Sequence, residues 1–391
     1  MNEQQSLSYI INELAEDREL YFNAIAPPII QTSNFAFKRV DDLRAAFEDE
    51  MSGYLYSRGI NPTVDILRKK LAALDGAEDC LVFNNGAAAI FAGVMANLKA
   101  GDHIVSVEKP YSCFQKMFDG MFPRFGISTT YVDGRDINNW KQATQPNTTL
   151  FYLESPNSWN FLLQDIEAVA KWAKSKNIIT IIDNTYCSPL HQNPIRMGID
   201  LVMQTATKYI GGHSDTLGGV LCGSRKMIKK IFDCEYVTVG SGIQPFNAWL
   251  LLRGLRTLPA RFERITRSTQ QLLAYLKQHS KIEEVIFPLD PSFPQYELAK
   301  KQMSGACGLL TMVLRVKKRE EIVTFCESLR HILMAVSWGG HESLAIPKCT
   351  SLLNSEFDAS NREHKMVRLY VGLEEPAYLI ADLEQAFSAI L

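Results

Sequence analysis

From about residue 60 to residue 240 the chain alternates two kinds of apolar pattern. Short runs of consecutive apolar and β-branched residues fall at Cys80–Phe83, Asp102–Val107, Thr149–Leu153, Ile178–Asp183, Leu201–Thr205 and Gly219–Cys222. Between them, in stretches such as Pro62–Leu74, Ala87–Leu98 and Asp165–Lys176, apolar residues return every three or four positions. The first pattern predicts strands and the second amphipathic helices. Ile178 to Ile182 is apolar at every position but Thr180, so both faces of that strand must be covered, as in a parallel sheet flanked by helices. An α/β domain is therefore expected over 56–241. After Gly242 comes a long helical pattern interrupted by Pro259, then a turn-rich stretch from Pro288 to Pro294. A strand at Gly308–Val316 and helices at Arg319–Ser328 and Ala377–Ile390 follow, which predicts a smaller α+β domain over 242–391. Residues 1–55 read as an N-terminal arm, whose Ala-Pro-Pro-Ile-Ile-Gln-Thr-Ser-Asn-Phe-Ala-Phe stretch (26–37) suits extended chain lying against another surface.

Composition agrees with two domains. The chain has 391 residues, 46% of them hydrophobic and 21% charged, enough apolar side chain for sizeable cores and too much for disorder. The net charge of −2, with no long run of like charges, provides no surface for nucleic acid. The first twenty residues hold five acids and one base without an apolar stretch of leader length, and no apolar run approaches a membrane span. A cytosolic protein is expected. The eight cysteines include no C-x-x-C pair and no matching histidine spacing, so neither metal nor a disulfide framework is expected.

Parallel sheets bind ligands beyond the carboxyl ends of their strands, which directs attention to four segments. Ile178–Ile182 ends in Asp183-Asn-Thr185, and Leu201–Gln204 leads into Thr205-Ala-Thr-Lys208. Cys80–Phe83 opens through Asn84-Asn-Gly-Ala87 into a helix, and Thr149–Leu153 ends in Glu154-Ser-Pro156. Taken singly, these are a cap, a surface lysine, a tight turn and a loop. Taken together they provide an amine, a carboxylate, hydroxyls and a helix N-terminus. Pyridoxal 5′-phosphate needs that set: a lysine for its aldehyde, a carboxylate for its ring nitrogen, and donors for its phosphate.

These segments resemble, in order, the Cys/Met-metabolism or transsulfuration enzymes. The resemblance runs through Tyr56-Ser-Arg-Gly-Ile-Asn-Pro-Thr63, Asn85-Gly-Ala-Ala-Ala89, Glu154-Ser-Pro156, Ile182-Asp-Asn-Thr185, Thr205-Ala-Thr-Lys-Tyr209, Gly212-His-Ser-Asp215, Arg253-Gly-Leu-Arg-Thr257 and Arg368-Leu-Tyr-Val-Gly-Leu-Glu374. It implies the pyridoxal-phosphate fold type I, aspartate-aminotransferase-like, with a mostly parallel central sheet and a smaller α+β C-terminal domain. It further implies Lys208 as the Schiff-base lysine and proton shuttle, Asp183 as partner of the ring nitrogen, and Tyr111 stacked on the ring and active in catalysis. Gly86 and Ala87 backbone N–H groups and the hydroxyls of Thr205 and Thr207 fall to the phosphate. Tyr56 and Arg58 match a pair that reaches the phosphate of a neighbouring subunit, so a homo-oligomer is implied, a tetramer built from dimers. Arg368 matches the residue that grips the substrate carboxylate, with the Ser337 backbone assisting.

Within the family the motifs point two ways. Ser158, in place of a more usual asparagine near the ring hydroxyl, resembles bacterial cystathionine β-lyases. So do Ser337-Trp338-Gly-Gly-His-Glu-Ser-Leu344 and the Ile380-Ala-Asp-Leu383 ending. Tyr111-Ser-Cys113 is similar to the Tyr-Gly-Cys of methionine γ-lyases. His213 and His341 carry no expected catalytic role, because the lysine itself serves as base. The expectation is a carbon–sulfur lyase that splits L-cystathionine by β-elimination to homocysteine, pyruvate and ammonia, with Trp338 and Cys113 near the substrate. γ-Chemistry is the alternative: cystathionine γ-lyase, methionine γ-lyase or cystathionine γ-synthase. A non-catalytic binding protein on the same fold would have lost one of Lys208, Asp183, Tyr111 or Arg368. A nucleotide-binding oxidoreductase would need a G-x-G-x-x-G run, which is missing.

Overall fold

The computed structural model describes residues 6–390. Residues 1–5 of the expected arm and residue 391 of the expected C-terminal domain lie outside the described residues. The described chain forms two compact units. The first holds 6–156, 163–211 and 215–256, and the second holds 157–162, 212–214 and 257–390.

The first unit is built on seven strands: β1 (Asp79–Phe83), β2 (His103–Val107), β3 (Ser128–Val132), β4 (Thr148–Glu154), β5 (Ile179–Asp183), β6 (Leu201–Gln204) and β7 (Gly219–Gly223). Their order is β1-β7-β6-β5-β4-β2-β3. Strands β3, β2, β4, β5 and β6 run parallel, and β7 runs antiparallel to both β6 and β1. The six apolar runs are all strands. β3 was not anticipated, because Ser-Thr-Thr-Tyr-Val carries no apolar run: it is an edge strand paired only with β2 and can stay polar.

Successive side chains of a strand point to opposite faces, so the unbroken apolar runs feed two cores. Phe83, Leu150, Ile181 and Met203 pack with Ile90 of helix Gly86–Met95 and with Phe114, Phe118 and Phe122 on one face. Phe151, Leu153, Ile182 and Val202 pack with Trp140 and with Val169 and Ala173 of helix Ile166–Ser175 on the other. The register aligns Glu154 of β4 with Asp183 of β5, and Asp183 with Met203 of β6. The C-terminal ends of β4, β5 and β6 thus form one rim. β7 links β6 to β1, pairing Val220 with both Gln204 and Val82, which brings the end of β1 and its following helix to the same rim.

The extended stretch from Pro27 lies against its own unit. Ile30 N–H donates to Thr63 Oγ1 at 2.9 Å, Asn61 Nδ2 to the Ile30 carbonyl at 2.8 Å, and Trp249 Nε1 to the Pro27 carbonyl at 3.0 Å. Before it, the fully buried Glu16 side chain binds Lys70 Nζ at 3.1 Å and Arg256 at 2.9 Å. Lys70 also donates to the carbonyls of Ile10 and Ile11, which anchors helix Leu7–Asn12.

The second unit carries β8 (Ile282–Ile286), β9 (Leu309–Leu314), β10 (Leu333–Met334), β11 (Leu344–Pro347) and β12 (Met366–Tyr370) in the order β10-β11-β12-β9-β8. Helices Arg319–Ser328 and Pro376–Ser388 meet through Phe325 and Phe387, whose rings stack at 4.6 Å. Pro259 does not interrupt the long helix. It sits inside Pro245–Leu276, where the buried positions Leu255, Leu258, Phe262 and Ile265 carry the apolar stripe past it. A proline removes one helical hydrogen bond, and burial on both sides of it outweighs that loss. Among the described residues no helix is long and apolar enough to cross a membrane.

Candidate active site

Asp183 closes β5 and is buried, 8% exposed. Its Oδ1 accepts the Thr185 N–H at 2.8 Å. Burial pushes its carboxyl up to about 6, opposed by hydrogen bonds from Thr185 and by the positive charge of Lys208. Lys208 is half-buried in the turn after β6, its N–H bonded to the Thr205 carbonyl at 3.2 Å. A buried carboxylate under the influence of an amine at a sheet rim is a strong electrostatic site for a cationic ring nitrogen.

Thr185, given no role by the sequence beyond membership of its motif, joins the strand ends. Its hydroxyl hydrogen-bonds the Asp183 carboxylate and accepts the Thr205 N–H at 2.8 Å. Glu154 is a second such residue. Buried and in register with Asp183, it accepts the Tyr111 N–H at 2.6 Å and so locates Tyr111 at the start of helix Ser112–Lys116. Tyr111 is 52% exposed, and its ring packs edge-on against Phe114. Burial raises the pKa of Tyr152, helped by Asp183, Glu154 and, least of all, the half-buried Cys113 nearby. The signal for Thr185 and Glu154 was their place at strand ends, and their bonds become visible only once the register is known.

A capped helix N-terminus lies beside them. Asn85 caps helix Gly86–Met95, its side chain taking the Ala88 N–H at 2.8 Å and its carbonyl the Ala89 N–H. The N–H groups of Gly86 and Ala87 are left to be met from outside the helix. Two glycines permit the close approach that shapes this corner. A Cβ on Gly86 would stand 2.2 Å from Thr205 Oγ1, and one on Gly219 would stand 2.1 Å from the Asn85 carbonyl oxygen. Thr205 is therefore next to the helix N-terminus, whereas the Thr207 hydroxyl already accepts the Gly218 N–H at 3.1 Å. Donors for a phosphate, a buried acid and a lysine on one rim fit pyridoxal 5′-phosphate. Among the described residues no three His, Cys, Asp or Glu side chains gather as metal ligands.

Tyr56 and Arg58 line a different cavity of 360 Å³, with Gln31, Ser33, Gly242 and Gln244, and neither Lys208, Asp183 nor Tyr111 belongs to its lining. The Arg58 guanidinium lies 5.3 Å from the Tyr56 ring centroid.

In the second unit Arg368 projects from β12, paired in register with Thr311 of β9 and Ile346 of β11. Ser337 has φ +83°, a left-handed conformation that a serine adopts only when its surroundings hold it. The segment from Ser337 through Trp338 to Leu344 is tied at several points. Tyr370 Oη donates to the Gly340 carbonyl at 2.7 Å, Ser343 Oγ to Glu374 at 2.8 Å, and Ser214 Oγ to Glu342 at 2.5 Å. Ser158 lies in the 157–162 loop, where Asn157 N–H donates to the Leu162 carbonyl. Asp382, of the Ile380–Leu383 ending, accepts the N–H groups of Arg330, His331 and Ile332, each at 2.9 Å, and anchors the chain entering β10.

Comparison with known proteins agrees with the cofactor. The family described as Cys/Met metabolism PLP-dependent enzyme matches residues 8–388. The L-methionine gamma-lyase of Treponema denticola is 38% identical over 381 residues, 95% of this chain and 94% of its own length. The O-succinylhomoserine sulfhydrylase of Pseudomonas aeruginosa is 34% identical over 93% of this chain and 90% of its own. The crystal structure of metB from Corynebacterium glutamicum superposes with a TM-score of 0.90 at 31% identity, covering 99% of this chain and 98% of that one.

Proposed function

The chain belongs to the Cys/Met metabolism PLP-dependent enzymes, and from that premise we propose that it is a carbon–sulfur lyase acting by γ-elimination. Its proposed substrate is L-methionine or a close thioether, and its products are 2-oxobutyrate, ammonia and a thiol. The observation that carries this reading is the end-to-end likeness to a methionine γ-lyase, 38% identical over 95% of the chain. Tyr111-Ser-Cys113 points the same way. β-Elimination of cystathionine, which the sequence placed first, becomes the second reading; Ser158 and the Ser337–Leu344 segment favour it.

Bound, pyridoxal 5′-phosphate supplies a covalent handle for the substrate amine and a ring into which negative charge spreads. Asp183 holds a proton at the ring nitrogen, and the Gly86 and Ala87 N–H groups with the Thr205 and Thr207 hydroxyls bind the phosphate. Tyr111 covers the ring. Arg368 receives the α-carboxylate in its bidentate fork, supported by the Ser337 backbone. Lys208 Nζ removes the α-proton. γ-Elimination then requires a second proton from the β-carbon, so the same amine must move along the substrate before sulfur leaves. Tyr56 and Arg58 act in the site of a neighbouring subunit, which makes the working enzyme a homo-oligomer.

The deciding experiment incubates the holoenzyme separately with L-methionine and L-cystathionine and identifies the keto acid. 2-Oxobutyrate from both is expected. Pyruvate from cystathionine, with methionine left intact, would replace the γ-reading by the β-reading.

A further inference from the structure

Trp159 is held in an unusual way. It is a bulky side chain on a left-handed backbone, φ +70°, a conformation that persists only when the surroundings fix it. The Thr311 hydroxyl donates to its carbonyl at 2.7 Å. Its ring meets two cations: Arg368 Cζ lies 4.9 Å from the ring centroid, and Lys348 Nζ lies 5.4 Å from it. Strand register explains the convergence. Thr311 is paired with Arg368, Arg368 with Ile346, and Lys348 follows two residues later. Glu363 holds the Lys348 ammonium at 2.8 Å, which offsets its charge.

A guanidinium held over an indole ring is attracted to the ring face, and that contact narrows the rotamers open to it. An arginine without such a partner loses rotamer freedom when it binds, and one already stacked loses less. We propose that Trp159 is a positioning residue that presets the Arg368 fork for the substrate α-carboxylate. The proposal rests on the assignment of Arg368 to that carboxylate, and it is independent of the choice between β- and γ-elimination.

The test uses two unreactive amines that differ only by the carboxylate, glycine and methylamine, titrated against holoenzyme while the visible absorption of the cofactor is followed. Trp159→Leu keeps apolar bulk and removes the ring, and it should weaken glycine about tenfold while methylamine binding stays unchanged. Trp159→Phe retains a ring and should fall between Leu and the native residue. Equal weakening of both amines, or a leucine variant that binds glycine as the native protein does, overturns the proposal. Arg368→Ala separates the two levels of the argument. If it weakens glycine selectively and Trp159→Leu does not, only the role of Trp159 fails. If it affects both amines alike, the carboxylate assignment fails and takes this inference with it.

Discussion

The sheet rim of the first unit and the strand-end loops of the second hold their polar groups by different means. At the rim, Asp183, Thr185, Thr205 and Glu154 are locked by short bonds between neighbouring strand ends, and register alone decides which groups meet. In the second unit, Ser337 and Trp159 sit on left-handed backbone, and their positions depend on side chains reaching in from separate strands. The rim is suited to a fixed cofactor, whose charges never change place. The second arrangement can vary loop by loop without disturbing its sheet.

Substitutions at the rim should therefore abolish chemistry while leaving the fold intact. Lys208→Ala is expected to lower turnover by about 10⁴-fold, the upper range for a general base, with an unchanged circular dichroism spectrum. In the native protein, borohydride should fix the cofactor to a peptide containing Lys208. Label on another lysine, or turnover near the native rate, would remove Lys208 from its role.

Asp183→Asn comes next, with an expected loss of about 10³-fold because a preorganised charge is removed from a buried site. It also has a signature in the protein without cofactor. The Asp183 carboxyl is raised from 3.8 to about 6 by burial. Its ionised form is thus disfavoured in the folded state, and stability falls as pH rises from near 4 to near 6. The asparagine variant should lose that component of the stability–pH curve in urea titrations, and an unchanged curve would contradict the burial argument.

The same contrast explains what the sequence disclosed. Asp183 and Lys208 are legible as a pair, because an acid and an amine both follow buried apolar runs at the carboxyl ends of strands. The bonds of Thr185 and Glu154 are not, since they depend on which strands are neighbours, and chain order does not state that β4 lies between β2 and β5. β3 escaped notice because an edge strand needs no apolar run, and Pro259 misled because tertiary burial overrides a local helix penalty. Trp159 is silent in the sequence, since its neighbours Thr311, Lys348 and Arg368 lie far away along the chain. The choice of eliminated carbon was the least legible of all, because short motifs favoured β while whole-chain likeness favours γ.

In the second unit, substitution of an anchoring side chain should cost stability. Asp382 is pulled up by burial, but the N–H groups of Arg330, His331 and Ile332 and the Gln385 side chain outweigh that effect and hold its carboxyl below 3.8. The stability it contributes is fully present above its unfolded value and is lost as pH falls through the folded one. Asp382→Asn keeps one acceptor oxygen and loses the other, so unfolding free energy at pH 7 should drop by about 2 kcal/mol. The gap between variant and native protein should narrow in urea titrations near pH 3. A gap that stays constant with pH would mean that the charge plays no part.

Cys113 provides the smallest and most selective test, because it belongs to the rim by position and to substrate choice by its proposed role. It lies two residues after Tyr111, beside the buried Tyr152 ring, and forms no part of the Asp183–Thr185–Thr205 set. Serine has nearly the same shape and a stronger hydrogen-bonding group, so Cys113→Ser leaves the packing and the proton-transfer residues in place. Its expected effect on kcat with methionine is less than about tenfold, the scale of one modest hydrogen bond. The ratio of kcat/KM for methionine to that for cystathionine should change by more than kcat itself, because the exchanged group acts on the substrate side chain and not on the base. Parallel loss with both substrates, leaving that ratio fixed, would assign Cys113 to the cofactor rim and remove it from specificity.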